Sequence, residues 1–273
     1  RTMFNLPAPI AALAEKIDQG GRLTRAEAKT LLTDAPLALL GLLATRAKER
    51  VSGKVVFYNR NFHIEPTNIC VFNCRFCSYR RPADSPEAWD YSMEEILNQV
   101  EQHKNSGATE VHIVGGVHPR NGLDYYIELI RAIRQRIPQA SVKAFTAIEL
   151  AYMIHKAGLS LEEGLARLKE AGMEAIPGGG AEIFAESVRS RICPEKGSAE
   201  EWLAVHRAAH KLHIPTNATI LYGHIESLDD RIDHLDRLRS LQDETGGFNA
   251  FIPLKYRSRH NSMESIGEVS IVE

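Results

Sequence analysis

The sequence lacks a hydrophobic run long enough to cross a membrane. Its longest run, APLALLGLLA at residues 35–44, is about half of the ~20 residues that a spanning helix requires. We interpret this run as part of a buried helix. No secretory signal opens the chain, and Arg1 in place of a methionine indicates a trimmed N-terminus. We therefore expect no membrane partner.

An excess of charge of either sign is also missing. The 33 lysines and arginines nearly balance the 35 aspartates and glutamates, and the formal net charge is -2. Proteins that bind nucleic acid usually carry a basic surface, which this balance does not indicate. A small molecule is the favoured partner, and no nucleic-acid partner is expected.

Cysteine is scarce, but its placement is uneven. Of the four cysteines in 273 residues, Cys70, Cys74 and Cys77 lie within eight positions. Such crowding is not typical of a disulfide framework in an oxidising compartment, so a cytoplasmic location is expected. Cys193 is far from the other three, and we interpret it as a small buried or loop residue without a part in metal binding.

Two regions of the chain differ in pattern. Residues 1–54 are predicted to form an N-terminal helical segment, since Thr24 and Glu27 match a capping box and Gly53 ends the helical pattern. In residues 55–273, short β-rich runs alternate with helical ones at a period of about 35 residues. The candidate strands are residues 62–66, 110–115, 142–146, 174–178, 217–223 and 248–254.

The predicted helices of the second region begin at Ser-x-x-Glu or a close variant. The pairs are Ser92 with Glu95, Ser160 with Glu163, Ser198 with Glu201, and Ser227 with Asp230. Strands and helices in alternation predict βαβ units and a parallel sheet. A doubly wound sheet and a barrel both satisfy this spacing. The motifs favour an α/β fold built on a partial (β/α)6 barrel of the TIM type.

The cysteine loop directly follows the first predicted strand of this barrel, at its carboxyl end, where barrel enzymes carry their active sites. The spacing is Cys-x3-Cys-x2-Cys. A 4Fe-4S cluster takes about four ligands, so three thiolates leave one iron open to chelate the amine and carboxylate of S-adenosylmethionine. A zinc site with His63 as fourth ligand is the alternative, but structural zinc usually takes two separated ligand pairs. The spacing therefore favours the cluster.

This loop resembles the signature of the radical S-adenosylmethionine (SAM) superfamily, whose third cysteine follows an aromatic residue, here Phe76. The wider chain is similar to the menaquinone-pathway branch of that superfamily, and within it to the aminodeoxyfutalosine synthase family. The segments that carry the likeness are NFHIEPTNICVFNCRFCSYRR, GGVHPRNGLDYYIELIRAI, KAFTAIEL, IPGGGAEIF, RICPEK, NATILYGHIES and RLRSLQDETGGFNAFIPLKYRS.

The resemblance implies a partial barrel of the radical SAM type, a 4Fe-4S cluster, and S-adenosylmethionine consumed as a co-substrate. It also implies an electron donor such as flavodoxin or ferredoxin. The implied reaction adds the 5'-deoxyadenosyl radical to 3-(1-carboxyvinyloxy)benzoate and yields 6-amino-6-deoxyfutalosine, methionine and bicarbonate or CO2. Family members continue beyond the final residues GEVSIVE, so the chain is expected to be truncated at its C-terminus.

Further motifs at the predicted strand ends supply candidate ligands. Glycines let a ligand approach the backbone closely, and arginines suit the two carboxylates of the implied substrate, although turns and surface charges give similar patterns. We assign catalysis to His118, Glu182 and His224; the cofactor to Phe76, Tyr79, Gly115, Gly116, Glu149, Asn217 and Glu226; the substrate to Arg80, Arg120 and Thr146; and the cluster to Cys70, Cys74 and Cys77.

Two other functions remain open. The sister enzyme, cyclic dehypoxanthinyl futalosine synthase, abstracts hydrogen; it carries Ser-Pro-Pro-Glu where this chain has FTAIE at residues 145–149, and it lacks the Asn of NATILYG. A scaffold that binds metal without catalysis is the other alternative.

His206 and His210 lie one helical turn apart, but no Glu follows His206, so we predict a solvated helix face.

Overall fold

The computed structural model describes residues 6–270, which form two units. One unit comprises residues 6–58 together with Ser227–Asp236, and the other comprises Asn59–Glu226 together with residues 237–270. The first unit has a hydrophobic core of its own, built from Ile10, Leu31, Leu39 and Leu43. Each unit therefore buries apolar side chains independently.

Three helices form most of the first unit: α1 (Ala8–Asp18), α2 (Arg25–Asp34) and α3 (Leu37–Ser52). The predicted capping box begins α2, where the Thr24 side chain accepts from the Glu27 N–H. The apolar run at residues 35–44 falls largely in α3. Only one face of that helix is buried, since Leu42 is 37% exposed. None of the helices in the described chain is long and apolar enough to cross a membrane.

The second unit alternates strands and helices, as the sequence predicted. Its elements are β1 (Asn61–Ile64), α4 (Met93–Gln102), β2 (Glu110–Ile113), α5 (Leu123–Arg136), β3 (Ser141–Ala144), α6 (Ala147–Lys156), α7 (Leu161–Ala171), α8 (Glu186–Ile192), α9 (Ala199–Lys211), β4 (Thr216–Tyr222), the later part of α10 (Leu228–Thr245), β5 (Phe248–Lys255) and a 3-10 turn (Glu264–Ile266). The predicted caps are formed at Ser92, Ser160, Ser198 and Ser227.

All strand pairs are parallel. β1 pairs with β2 and β2 with β3, with Ile64 opposite Ile113 and Ile113 opposite Ala144, while β4 pairs with β5. Buried side chains from β2 and β3, such as Val111 and Val142, form one core with the apolar face of α5. Since all strands run the same way, their carboxyl ends lie at one edge, where the loops can build a site.

The fourth predicted strand, residues 174–178, is only a pair of single bridges. Ala175 bridges to Lys143 of β3, and Ile176 bridges to Thr216 of β4. The segment cannot extend further as a strand because Pro177 has no N–H to donate and Gly178 follows it. These bridges nevertheless connect the two sheets into one curved row of parallel segments, which confirms the partial barrel.

His206 and His210 do not lie on a solvated face of α9, so that prediction was wrong. His206 is 0% exposed and His210 is 7% exposed. Both rings bind the Thr216 hydroxyl of β4, His206 through Nδ1 at 2.8 Å and His210 through Nε2 at 2.9 Å. The His206 ring also packs on Trp202, with ring centroids 3.8 Å apart. The pair is therefore a buried polar contact between α9 and the sheet.

This contact should make folding sensitive to acid. Burial, together with the charge of Arg207, lowers the pKa of His210 to about 4, and burial lowers the pKa of His206 as well. The unfolded chain binds these protons near pH 6.5. The free energy of unfolding should therefore decrease as the pH falls from about 6.5 to about 4. The decrease should be at most about 1.4 kcal/mol per pH unit for each histidine.

Urea unfolding of the His206→Phe variant at several pH values checks this expectation. Phenylalanine keeps a ring against Trp202 but cannot titrate, so the variant should lose part of the pH slope. His155→Gln is the matched control, because the His155 side chain is 59% exposed and its removal should leave the slope unchanged. Equal slopes in wild type and His206→Phe would contradict the assignment.

Candidate active site

A cavity opens at the carboxyl ends of β1, β2 and β3. The cavity volume is about 140 Å³. The lining residues are Cys70, Phe72, Cys74, Phe76, Cys77, Tyr79 and Arg80 after β1; Gly115, Gly116 and Val117 after β2; Thr146, Ile148 and Glu149 after β3; and Gly180 and Lys196 from later loops. The structure thus brings ten residues of the predicted site together.

Backbone hydrogen bonds hold the cysteine loop against its neighbours. The Val71 N–H donates to the Val117 carbonyl at 3.0 Å, and the Arg75 N–H donates to the Ile192 carbonyl at the end of α8 at 2.8 Å. Within the loop, the Arg80 N–H lies 3.4 Å from the Cys77 sulfur. These contacts fix the loop from both sides, so the three thiols face one cavity.

The thiols are suited to iron. Burial raises the pKa of the Cys70 thiol and raises that of Cys74 to about 12, although the Lys196 ammonium lowers the latter. Such thiols ionise only when a bound metal compensates their charge, as cluster iron does. The donor set therefore fits a 4Fe-4S cluster, in which each thiolate holds a different iron.

The zinc alternative has no geometric support. The cavity that the three cysteines share is not lined by His63. His63, the fourth ligand of that alternative, lies on the exposed side of β1, with its ring 4.7 Å from the ring of His112. We therefore retain the cluster.

The glycine loop after β2 lies directly on the cysteine loop. The Gly116 N–H donates to the Thr67 carbonyl at 2.7 Å. A Cβ atom on Gly116 would stand 2.3 Å from the carbonyl oxygen of Ile69, and one on Gly115 would stand 3.0 Å from that of Thr67. Close backbone packing thus requires glycine at position 116, next to the residue that precedes Cys70.

Glu149 and Thr146 line the cavity, and they also form the capping box of α6. Glu149 Oε2 accepts from the Thr146 N–H at 2.8 Å and from its hydroxyl at 2.7 Å, while Oε1 accepts from the Gly115 N–H at 3.0 Å. Burial raises the pKa of Glu149 to about 7, although these hydrogen bonds lower it. The carboxylate thereby ties the glycine loop to the start of α6.

Sequence reasoning missed Lys196, which lines the cavity. Its Nζ lies 2.5 Å from Glu182 Oε1, and the two side chains are 12% and 11% exposed. Burial lowers the pKa of Lys196, but the charges of Glu182 and Cys74 outweigh burial and raise it overall. A buried cation therefore stands beside the cysteine loop, 5.5 Å from the ring centroid of Phe76. No periodic signal marked Lys196, since it lies in a loop.

Tyr79 and Arg80 close the cavity on the side of the cysteine loop. The Tyr79 hydroxyl donates to the Thr67 carbonyl at 3.2 Å, and its ring packs edge-on against Trp89. Arg80 is half-buried, and its Nε has no hydrogen-bond partner among the described residues. A buried donor without a partner is costly, so a ligand with an acceptor group would fit beside Arg80.

His118 and Arg120 lie away from the described lining of the cavity. His118 is buried, and its Nδ1 accepts from the Arg120 N–H at 3.1 Å. His118 Nε2 is 3.4 Å from Asp90, and the Arg120 side chain, 80% exposed, is 3.5 Å from the same carboxylate. Burial lowers the pKa of His118, although Asp90 raises it. Arg120 is therefore a surface residue.

His224, Glu226 and Asn217 also fall outside that lining. The Glu226 carboxylate accepts from the N–H groups of Gly223 and His224 at 2.6 and 2.9 Å, and His224 Nε2 lies 3.0 Å from the Leu221 carbonyl. Asn217 belongs to β4, where its N–H donates to the Ile176 carbonyl at 3.1 Å. These contacts shape the loop after β4.

Cys193 is buried, as predicted, but it is near the cysteine loop in space. It is 2% exposed and belongs to a hydrophobic cluster against which Cys74 and Phe76 pack. It does not line the cavity that Cys70, Cys74 and Cys77 share. Its contribution in this structure is to packing.

A parallel barrel whose strand ends carry three thiols around one cavity is typical of an iron-sulfur enzyme. The Radical SAM superfamily matches residues 64–238, which include the cysteine loop, the glycine loop and the Glu182–Lys196 pair. Since this match covers more than half of the chain, the chain belongs to the radical SAM superfamily. Enzymes of this superfamily use a 4Fe-4S cluster together with S-adenosylmethionine.

Two individual enzymes are similar to the chain over most of its length. The chain is 45% identical over 251 residues to an aminodeoxyfutalosine synthase of Thermus thermophilus, a match that covers 92% of this chain and 68% of the relative. An enzyme of the same name from Streptomyces coelicolor is 41% identical, with 90% of this chain and 63% of the relative covered. The chain thus spans about two thirds of the length of these relatives.

Two other kinds of enzyme are also similar. A 5-amino-6-(D-ribitylamino)uracil–L-tyrosine 4-hydroxyphenyl transferase of Methanopyrus kandleri is 41% identical over 78% of this chain and 58% of its own. A cyclic dehypoxanthine futalosine synthase of Streptomyces coelicolor is 34% identical over 97% of this chain and 68% of its own. Among solved structures, methylornithine synthase matches with a TM-score of 0.71 at 18% identity, over 96% of this chain and 73% of its own, which supports the fold.

Proposed function

We propose that the chain is the radical SAM core of an aminodeoxyfutalosine synthase. In the proposed reaction, S-adenosylmethionine and 3-(1-carboxyvinyloxy)benzoate are converted to 6-amino-6-deoxyfutalosine, methionine and CO2, or bicarbonate when one water is also consumed. The observation that carries the proposal is the 45% identity to the Thermus thermophilus synthase over 92% of this chain. The identity is higher than the 41% found for the transferase of Methanopyrus kandleri.

Cys70, Cys74 and Cys77 would hold the cluster, for which their shared cavity and buried thiols are suited. When bound and reduced, the cluster supplies the electron that cleaves S-adenosylmethionine to methionine and a 5'-deoxyadenosyl radical. The protein's own part is to position the ligands and to exclude water. Gly115 and Gly116 bring the backbone close to them.

Arg80, a half-buried cation of the cavity, would bind a carboxylate of the substrate. It lines the cavity, whereas Arg120 is at the surface. Arginine suits a carboxylate because its donors form a fork. Of the two arginines that the sequence assigned to the substrate, we therefore retain Arg80 for carboxylate binding and withdraw Arg120.

Replacement of Arg80 and Arg120 by methionine separates the two candidates. Arg80→Met should raise the KM for 3-(1-carboxyvinyloxy)benzoate by an amount equivalent to about 2–5 kcal/mol, because a buried charge pair is broken. Arg120→Met, the matched control, should cost less than about 1 kcal/mol, as exposed pairs do. A larger effect for Arg120→Met than for Arg80→Met would reverse the assignment.

The fate of the adenosyl group tests the reaction. The reconstituted protein is incubated with reductant, 3-(1-carboxyvinyloxy)benzoate and S-adenosylmethionine labelled with 13C in its adenosine carbons, and products are analysed by mass spectrometry. Radical addition predicts that the label enters the aminodeoxyfutalosine and that methionine forms in step with it. Little free 5'-deoxyadenosine should appear.

Hydrogen abstraction predicts the opposite distribution. If labelled 5'-deoxyadenosine matched turnover one for one and the product carried no label, the synthase assignment would fail while membership of the superfamily stood. A parallel incubation with 5-amino-6-(D-ribitylamino)uracil and L-tyrosine tests the transferase alternative, and turnover there alone would replace our proposal.

A small-protein electron donor such as flavodoxin or ferredoxin would reduce the cluster, and a reducing cytoplasm would suit its thiolate ligands. The exposed cysteine-loop residues Asn73 and Arg75 place part of this loop at the surface. Reduction by purified flavodoxin or ferredoxin, compared with dithionite, tests the donor.

A further inference from the structure

Arg189, in the middle of the short helix α8, is a buried arginine that binds backbone carbonyls. It is 2% exposed. Nη1 donates to the carbonyl of Ala181 at 2.7 Å and to that of Ile183 at 3.2 Å, and Nη2 donates to the carbonyl of Gly197. The planar fork of the guanidinium therefore joins two loops that lie apart in the chain.

These two loops carry Lys196, which lines the cavity, and its ion-pair partner Glu182. The carbonyls bound by Arg189 lie on either side of Glu182 and directly after Lys196. Glu182 has a φ of +48°, in the left-handed region that L-residues avoid, so surrounding contacts must hold it there. Its own carbonyl accepts from the Leu221 N–H at 2.8 Å. Three successive carbonyls around Glu182 are thus fixed, two of them by Arg189.

Helix α8 also binds the cysteine loop. Its last carbonyls accept from Arg75, that of Arg191 from Nη1 at 3.2 Å and that of Ile192 from the backbone N–H at 2.8 Å. The same seven-residue helix therefore contacts the thiol loop, the Glu182 loop and the Lys196 loop. A guanidinium is costly to bury and repays burial only when its donors are satisfied.

We infer that Arg189 is a positioning residue of the active site: by clamping the Glu182 and Lys196 loops together, it sets the buried Lys196 ammonium at the cavity wall. The inference rests on the proposed function only in that the cavity binds S-adenosylmethionine. It does not depend on which second substrate the enzyme takes.

A double-mutant cycle with Lys196 tests the clamp in the reconstituted holoenzyme. The readouts are iron content and the KM and kcat for methionine release from S-adenosylmethionine with dithionite, without a second substrate. Arg189→Met and Lys196→Met should each raise the KM about tenfold with iron retained, and the double variant should be no worse than Lys196→Met alone, because both changes disturb one unit. Effects that multiply to about a hundredfold would overturn the inference.

Two further variants distinguish a positioning role of Arg189 from a purely structural one. Arg134 also donates to a carbonyl, that of Ala140 at 2.8 Å, but lies outside the cavity lining. Arg134→Met should therefore leave the KM unchanged, even if it lowers the melting temperature. If Arg189→Met does not retain iron, Arg189→Lys carries the test, since lysine keeps the charge but lacks the fork that spans both loops. A wild-type KM for Arg189→Lys would overturn the clamp.

The outcomes also separate this inference from the proposed function. Coupling of Arg189 to Lys196 without aminodeoxyfutalosine formation would reject the synthase and keep the clamp. Aminodeoxyfutalosine formation with independent effects of the two residues would reject the clamp and keep the synthase.

Discussion

Replacement of Cys70, Cys74 or Cys77 singly by alanine should abolish assembly of the 4Fe-4S cluster and reduce cleavage of S-adenosylmethionine to background. Each thiolate would hold its own iron, so the remaining two cannot complete the site. The three thiols line one cavity. Iron and sulfide analysis, with assay of methionine release, measures the loss.

Cys193→Ala is the matched control for this experiment. Cys193 is as buried as a core residue and packs near Cys74, but it does not line the cavity. The variant should keep its iron and sulfide and lose at most a modest amount of stability from the smaller side chain. A loss of iron equal to that of the other three variants would refute the division into three ligands and one packing residue.

Gly116→Ala should also strongly reduce iron content and S-adenosylmethionine cleavage, although the substitution removes no ligand of the cluster. The added Cβ would stand 2.3 Å from the Ile69 carbonyl oxygen and 2.7 Å from its carbon, distances that force the backbone to move. Overpacking of this kind costs about 1–3 kcal/mol. Because Ile69 directly precedes Cys70, we expect lower iron content and a strongly reduced rate of S-adenosylmethionine cleavage.

Gly122→Ala provides the comparison. Gly122 is the N-cap of α5 with a φ of -108°, and a Cβ there would meet no atom within 4 Å. The same chemical change should therefore leave iron content and cleavage near wild type. Equal losses in the two variants would show that the contact between Gly116 and Ile69 is unimportant.

Local signals in the sequence predicted most of the fold. Caps such as Ser92 with Glu95 depend on residues three positions apart, and the structure forms them as predicted. The strands also followed from short apolar runs, except at residues 174–178, where Pro177 limits the ladder. The cysteine loop was readable for the same reason, since its three thiols lie close together in sequence as well as in space.

The burial of His206 and His210 was predictable from the sequence. Trp202, His206 and His210 follow one another at intervals of four residues, so they share one face of α9. Since Trp202 is fully buried, the histidines on its face are buried as well.

The structural role of Glu149 was also within reach. Thr146 and Glu149 repeat the Ser/Thr-x-x-Glu pattern that was used to place other helices. What no local pattern could supply is the bond from Glu149 to Gly115, 34 residues away. The contacts of Arg189 and Lys196 could not be predicted for the same reason. Their partners are set by how the loops meet after the barrel has formed.

The joint between β3 and β4 has a consequence for motion. The short segment between the two sheets forms single bridges at Ala175 and Ile176, with backbone hydrogen bonds such as Glu174 N–H to the Val142 carbonyl and Asn217 N–H to the Ile176 carbonyl, whereas β4 and β5 are paired along seven residues of β4. Local opening requires the least free energy where the fewest hydrogen bonds must break. Amide protons of this short segment should therefore exchange with solvent sooner than those of the longer strand β4, so the first local opening of the barrel is expected between its two sheets.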